Sequence, residues 1–203
     1  MLRSMVFIDE QNFQIALQSY YRAQNLPAPR LDYNKLPLMV NACVPNAVLV
    51  KTLLCAPRPD EFLQQDDAAM RHYRWIEGLR NQSFFDVIEG AFIARPTTYG
   101  VEMNINDRSS YYREEKGTDI NIAVESITKA FNNAYDVAIF MSGDSDYLPI
   151  YKTLRTIGKL VVVAVVEGQS VMRLRPFIDH YIVLDKCKFD GILRPPAPNY
   201  AAE

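Results

Sequence analysis

The sequence predicts an α/β fold, with a central, mainly parallel sheet flanked by helices, and three observations carry that expectation. Short β-prone runs alternate with helical periodicity along most of the chain. The runs Met5-Val6-Phe7-Ile8 and Val137-Ala138-Ile139-Phe140-Met141 are apolar throughout, as strands buried on both faces are. Each of these runs then meets acidic residues: Asp9 after the first, and Ser142-Gly143-Asp144-Ser145-Asp146-Tyr147 after the second. The carboxyl ends of parallel strands form the functional crevice of such sheets. If the two runs are neighbouring strands, their carboxylates converge.

The elements follow in order. Met5 to Asp9 reads as the first strand, and Phe13 to Arg22 as a helix stopped by Leu26-Pro27-Ala28-Pro29. Tyr33 to Val40 is a short helix, and Ala47 to Leu54 a strand closed by Pro57 and Pro59. The span Glu61 to Asn81 is the longest helical candidate. It turns Met70, Tyr73, Trp75 or Ile76, and Leu79 inward and leaves Arg71, Arg74 and Arg80 to solvent. Phe84 to Arg95 is β-prone despite Gly90, and the polar stretch near residues 96–113 reads as an insertion or hairpin able to touch a substrate. Glu114 to Asp119 leads into a helix through Ile120, Ile122, Ala123, Ile127 and Ala130, with Thr118 or Asp119 as its cap. The rest reads as strand Asp136 to Met141, helix Tyr147 to Ile157 ended by Gly158, strand Leu160 to Val166, helix Ser170 to Phe177 and strand Tyr181 to Leu184. Residues 1–190 thus form a single domain, and the proline-rich residues 191–203 a flexible tail.

Composition narrows the function classes. A hydrophobic share of 49% and a charged share of 23% in 203 residues suit one soluble domain with a sizeable core. A net charge of -2 supplies no bulk field for a polyanion, so nucleic acid would need a local basic patch. Three scattered cysteines and two histidines argue against a disulfide framework and a histidine-rich zinc site. The first strand begins too early for a signal peptide, and no apolar run spans a bilayer, so the expected location is the cytoplasm.

Converging carboxylates repel one another and are expensive to desolvate, which calls for a divalent cation. Asp9, Asp119, Asp144 and Asp146 are the candidate ligands, although aspartate at a strand-to-helix boundary also serves as a plain helix cap. Asn12, one turn after Asp9, suits either a substrate phosphate or the organisation of the turn. Ser142 could orient water or a carboxylate. Glu125 lies six residues after Asp119, off the ideal helical period, and a solvated glutamate is its plainer reading.

Through Phe7-Ile8-Asp9-Glu10-Gln11-Asn12, Lys116-Gly117-Thr118-Asp119 and Ser142-Gly143-Asp144-Ser145-Asp146-Tyr147 the chain resembles the NYN family of PIN-like ribonucleases. The resemblance runs from the first strand to about Leu184 and implies a Rossmann-like fold with an acidic metal site for RNA phosphodiester hydrolysis. It implies catalytic roles for Asp9, Asn12, Asp119, Asp144 and Asp146, with Mg²⁺ or Mn²⁺ held by the four aspartates. Family members commonly have glycine where this chain has Glu10, and often aspartate where it has Glu125. RNA is the expected partner, guided by Lys116, Arg71, Arg74 and Arg113, with Asn12 and Ser142 near the phosphate and Tyr111 or Tyr112 stacking on a base. A catalytically inactive RNA-binding or scaffolding domain is the alternative, and a homodimer through exposed apolar residues is left open.

Overall fold

The computed structural model describes residues 1–194. Seven strands form one sheet: β1 (Leu2–Asp9), β2 (Ala47–Pro59), β3 (Phe85–Pro96), β4 (Tyr111–Lys116), β5 (Val137–Met141), β6 (Leu160–Val166) and β7 (His180–Leu184). Their order is β4-β3-β2-β1-β5-β6-β7, and every pairing is parallel except β3 with β4. The chain first builds outward from β1 through β2 to β4, then crosses to β5 on the other side. Such a reversal leaves a crevice at the carboxyl ends of β1 and β5.

Alternation along the buried strands sorts two cores. Val6 and Ile8 pack with α1 (Glu10–Ala23), α2 (Leu36–Ala42), α3 (Asp67–Leu79) and α6 (Lys186–Asp190) on one face, through Phe13, Leu17, Leu36, Val40, Ile76, Leu79 and Phe189. Met5 and Phe7 pack on the other face with α4 (Thr118–Phe131) and α5 (Leu148–Thr156), through Ile122, Ala130, Ile150, Tyr151 and Leu154. Alternation therefore places Asp9, two residues after Phe7, on the α4 and α5 face. That parity decides which helices its carboxylate meets.

Several boundaries differ from those the sequence suggests. The long helix from Glu61 begins only at Asp67, because the Asp66 side chain accepts a hydrogen bond from the Ala68 amide at 2.9 Å and caps it there. A separate 3₁₀ turn, Leu63–Gln65, precedes it. Pro57 and Pro59 do not close β2. Its pairing with β1 ends at Cys55 opposite Asp9, so the last residues pair with β3 alone and form an edge, where a missing N–H is tolerated. No α-helix spans Ser170 to Phe177; only a 3₁₀ turn forms at Arg175–Phe177, around Pro176.

Strand β4 is an element that hydrophobic alternation does not reveal. Tyr-Tyr-Arg-Glu-Glu-Lys pairs antiparallel with β3, from Ala91 opposite Lys116 to Pro96 opposite Tyr111. The connection between them packs Met103 and Ile105 against a small separate core of Leu63, Ala94 and Tyr111. Tyr111 is buried there and cannot stack on a base, whereas Tyr112 is exposed. At the other end the domain runs past residue 190. Ile192 is buried in the first core, its carbonyl accepts from the Asp32 amide at 2.8 Å, and the Arg194 amide donates to the Arg30 carbonyl. The remainder of the expected tail, 195–203, lies outside the described residues.

Candidate active site

Asp9 closes β1 and caps α1, its Oδ1 accepting from the Asn12 amide at 3.1 Å. Only 4% of the residue is exposed. Its Oδ2 accepts from the Tyr147 hydroxyl at 3.0 Å and from Ser142 Oγ at 3.3 Å. The Tyr147 oxygen also lies 2.8 Å from Asp119 Oδ1. Residues far apart in sequence thus bring two carboxylates onto one phenolic oxygen. A phenol has a single proton, so it cannot donate to both acceptors at once. One of the two contacts is short of a hydrogen whenever both carboxylates are ionised.

The electrostatics point the same way. Burial pushes the Asp9 carboxyl up to about 6, the Asp119 charge adds to that, and the bonds from Asn12, Tyr147 and Ser142 oppose it. Burial and the same two carboxylates raise the Tyr147 hydroxyl far above its ordinary value, so it stays a neutral donor. Glu115 on β4 is raised by burial, with Asp9, Asp119 and Glu10 contributing repulsion. Burial raises the Cys55 thiol beside Asp9, and the charges of Asp9, Glu125 and Asp119 reinforce it. Among the described residues, none of the ion pairs involves Asp9 or Asp119; Lys116 pairs with Glu114 at 2.7 Å and Glu125 with Lys129.

Asp119 reaches the cleft because α4 begins without a side-chain cap. Gly117 takes the cap position at φ 82, a left-handed conformation suited to glycine, so neither Thr118 nor Asp119 is spent on capping. Gly90 sets that helix start. A Cβ at Gly90 would come within 2.8 Å of the Lys116 carbonyl and 3.0 Å of the Thr118 amide. The β5 turn is tied to the same point. Ser142 Oγ accepts from the Asp144 amide at 3.2 Å while donating to Asp9, and Asn12 Oδ1 accepts from the Gly143 amide at 3.2 Å. Asn12 therefore organises the turn through its carbonyl oxygen.

The remaining sequence candidates divide. Asp144 Oδ1 caps the short turn Ser145–Tyr147 by accepting from the Asp146 amide at 2.9 Å, and Asp146 is exposed beside it. Arg113 pairs with Asp66 at 2.9 Å, while Arg71 and Arg74 lie on α3 and line cavities beside Trp75, away from Asp9. No group of three His, Cys, Asp and Glu among the described residues stands ready to hold a metal ion. The donor chemistry nevertheless fits one. Asp9 and Asp119 offer only oxygen, as hard cations prefer, and the carboxylates around them lack a balancing positive charge.

Tyr147 and Glu115 are not among the residues to which the sequence assigns a role, and Glu10 stands out there only as a departure from the family's glycine. A signal for Tyr147 existed, because Tyr147, Ile150, Tyr151 and Leu154 follow the helical period onto a buried stripe, and a buried hydroxyl needs a partner. Glu115 carried no signal because its strand carried none.

Comparison with one solved structure agrees with this architecture. A crystal structure of a protein of unknown function from Vibrio parahaemolyticus is similar to the chain, with a TM-score of 0.60, 18% identity, and 93% of this chain and 95% of that one covered. The crystal structure of MurG from Acinetobacter baumannii aligns at a TM-score of 0.35 and 9% identity, over 90% of this chain and 45% of that one. No curated protein matches. Among the described residues no helix is long and apolar enough to cross a membrane. The NYN domain matches residues 3–185, which is nearly the whole of the folded region. The chain belongs to the NYN domain family of PIN-like ribonucleases.

Proposed function

We propose that this protein is a metal-dependent ribonuclease that hydrolyses RNA phosphodiester bonds at the carboxyl ends of β1 and β5. The observation that carries the reading is the convergence of Asp9 and Asp119 on the Tyr147 hydroxyl inside a family of nucleases. A folded protein has little reason to bring uncompensated carboxylates together unless a cation or a proton completes them.

Asp9 and Asp119 would hold Mg²⁺ or Mn²⁺, with Asp144 and Asp146 on the adjoining turn as further oxygen donors. Such an ion would polarise the phosphoryl oxygen and lower the pKa of the attacking water. Hydrolysis adds water oxygen to phosphorus and breaks one P–O ester bond, so the water loses a proton and the leaving oxygen gains one. Asp146, exposed on that turn, would bind a second ion or orient the attacking water, with solvent taking the water proton and supplying the one on the leaving oxygen. Tyr147 and Ser142 hold the Asp9 carboxylate in one orientation, and Asn12 fixes the Gly143 amide next to it.

A domain that binds RNA or protein without cutting is the second reading. It is favoured by Asp144, whose carboxylate caps its own turn by accepting from the Asp146 amide instead of joining Asp9 and Asp119. The test is cleavage of single-stranded and structured RNA with Mn²⁺, for wild type and Asp119→Asn. Metal-dependent cutting lost in the variant upholds the nuclease; RNA binding with no cutting by wild type, in any divalent metal, supports the second reading.

A further inference from the structure

On the face of the sheet away from α4, four arginines gather around the chain's one tryptophan. Arg71, Arg74, Trp75 and Gly78 stand at i, i+3, i+4 and i+7 and so share one face of α3. That face overlooks two adjoining concavities of about 430 and 410 Å³, which have Leu31, Tyr33, Trp75 and Arg194 in common. Arg74 and Gly78 line the first, and Arg30 and Arg71 the second. The indole is half-buried, with Tyr33 edge-on to it at 4.9 Å between ring centroids.

The positive charge here is left unanswered. Arg3, Arg80 and Arg95 each hold a carboxylate at 2.7 or 2.8 Å. Among the described residues, none of the arginine ion pairs includes Arg30, Arg71, Arg74 or Arg194. Asp32 is the one carboxylate lining either concavity, and its Oδ1 accepts from the Asn34 amide at 2.9 Å. Like charges gathered this way repel, in a chain whose net charge is only -2, and a bound anion relieves them. The second concavity also shares Gln14 and His72 with a third, which reaches Glu10 and Gln11, the two residues after Asp9. The Glu10 carboxylate is answered there by His72 at 3.1 Å. A furrow thus runs from the carboxyl end of β1, between α1 and α3, to Trp75.

We propose that an unpaired RNA strand leaves the catalytic crevice along this furrow, with one base against the Trp75 indole and the flanking phosphates on Arg71, Arg74 and Arg30. The inference rests on the nuclease reading for its polymer, but the surface is separate from the metal site. Guanidinium groups bond phosphate oxygens two at a time. A duplex keeps its bases stacked inside, whereas a concavity with an aromatic wall suits a splayed base. An acidic peptide would answer the charges and leave the indole unused.

Trp75 reports on its own surface. The full chain, in EDTA so that no RNA is cut, is titrated with single-stranded oligouridylate while the indole emission is followed. Saturable quenching is expected, with an affinity that falls as salt rises. Arg71 and Arg74 are exposed, and the double variant Arg71→Ala/Arg74→Ala should bind about tenfold or more weakly. Its slope of log affinity against log salt should lessen by about 1.4, at about 0.7 for each lost phosphate contact. Arg155→Ala removes the same kind of charge from the last turn of α5, on the opposite face, and should change neither quantity appreciably. Trp75→Leu, followed by anisotropy of labelled RNA, should lose about fivefold or more in affinity, and Trp75→Phe should keep most of it.

Silent emission, a double variant that binds like wild type, or an Arg155 variant that loses as much, overturns the proposal. Equal quenching by oligoglutamate of matched length overturns it too, because the surface then belongs to an acidic protein segment. Equal binding of duplex RNA leaves no unpaired base against Trp75 and has the same consequence. Quenching that depends on Arg71 and Arg74, in a wild type that cuts no RNA with any divalent metal, removes the nuclease reading and leaves this RNA surface standing. RNA cutting with a silent Trp75 does the reverse.

Discussion

Replacing Asp9 by asparagine should make the metal-free protein more stable while destroying its use. Burial holds the Asp9 carboxyl at about 6 in the folded chain against an ordinary 3.8. Because the folded pKa is the higher one, the stabilisation it contributes is complete below the unfolded value and is lost as pH rises through about 6. Two units of difference, at about 1.4 kcal/mol each, put the penalty of an ionised Asp9 near 3 kcal/mol at neutral pH. Asparagine removes that charge and can keep the network. Its Oδ1 accepts from the Asn12 amide, and its Nδ2 donates to Ser142 and Tyr147, which frees the Tyr147 proton for Asp119. Some hydrogen-bond strength is lost with the charge, so the expected gain is about 1–3 kcal/mol at neutral pH, or roughly 2–4 °C of Tm per kcal/mol.

The assay is thermal unfolding by circular dichroism in EDTA, for wild type and Asp9→Asn, across pH. The gain should disappear below about pH 4, where wild-type Asp9 is itself neutral in both states. Adding Mn²⁺ should raise the wild-type Tm and leave the variant almost unmoved. A variant no more stable than wild type at neutral pH refutes the reasoning, and so does a gain that persists in acid.

Tyr147→Phe removes the donor shared by two carboxylates and should cost about 1.5–3 kcal/mol in metal-free unfolding, raising the Asp9 pKa further; an unchanged melt refutes the shared bond. Gly90→Ala drives a Cβ into the backbone at the start of α4 and should destabilise by about 1–3 kcal/mol, with weaker Mn²⁺ binding by calorimetry as Asp119 shifts. Asp66→Ala loses the α3 cap, about 1 kcal/mol by urea unfolding, but releases Arg108 and Arg113. Its RNA binding should tighten and become more salt-dependent in filter-binding assays; weaker binding would place those arginines off the RNA path.

The sheet was legible where burial leaves a simple trace. Apolar runs mark β1, β5 and β6, and the helical period marks α1, α4 and α5. It was not legible where tertiary pairing overrides local pattern. Strand β4 is held by backbone bonds to β3 rather than by an apolar face, and β2 continues through two prolines because its neighbour has already ended. The helix boundary at Asp67 turned on one side chain, Asp66, choosing to cap.

The candidate site shows the same division. By itself the sequence determined that Asp9 ends a buried strand, that Asp144 and Asp146 follow another, and that Gly117 precedes Asp119. Only the tertiary structure decided which of these carboxylates meet. Strand parity turns Asp9 toward α4, a left-handed glycine leaves Asp119 free of capping, and Tyr147 supplies the oxygen on which both converge. Asp144 bends back to its own turn instead. Residue type and spacing fix what chemistry a chain can bring to a crevice; the direction of each side chain depends on strand order and helix starts, which nothing local specifies.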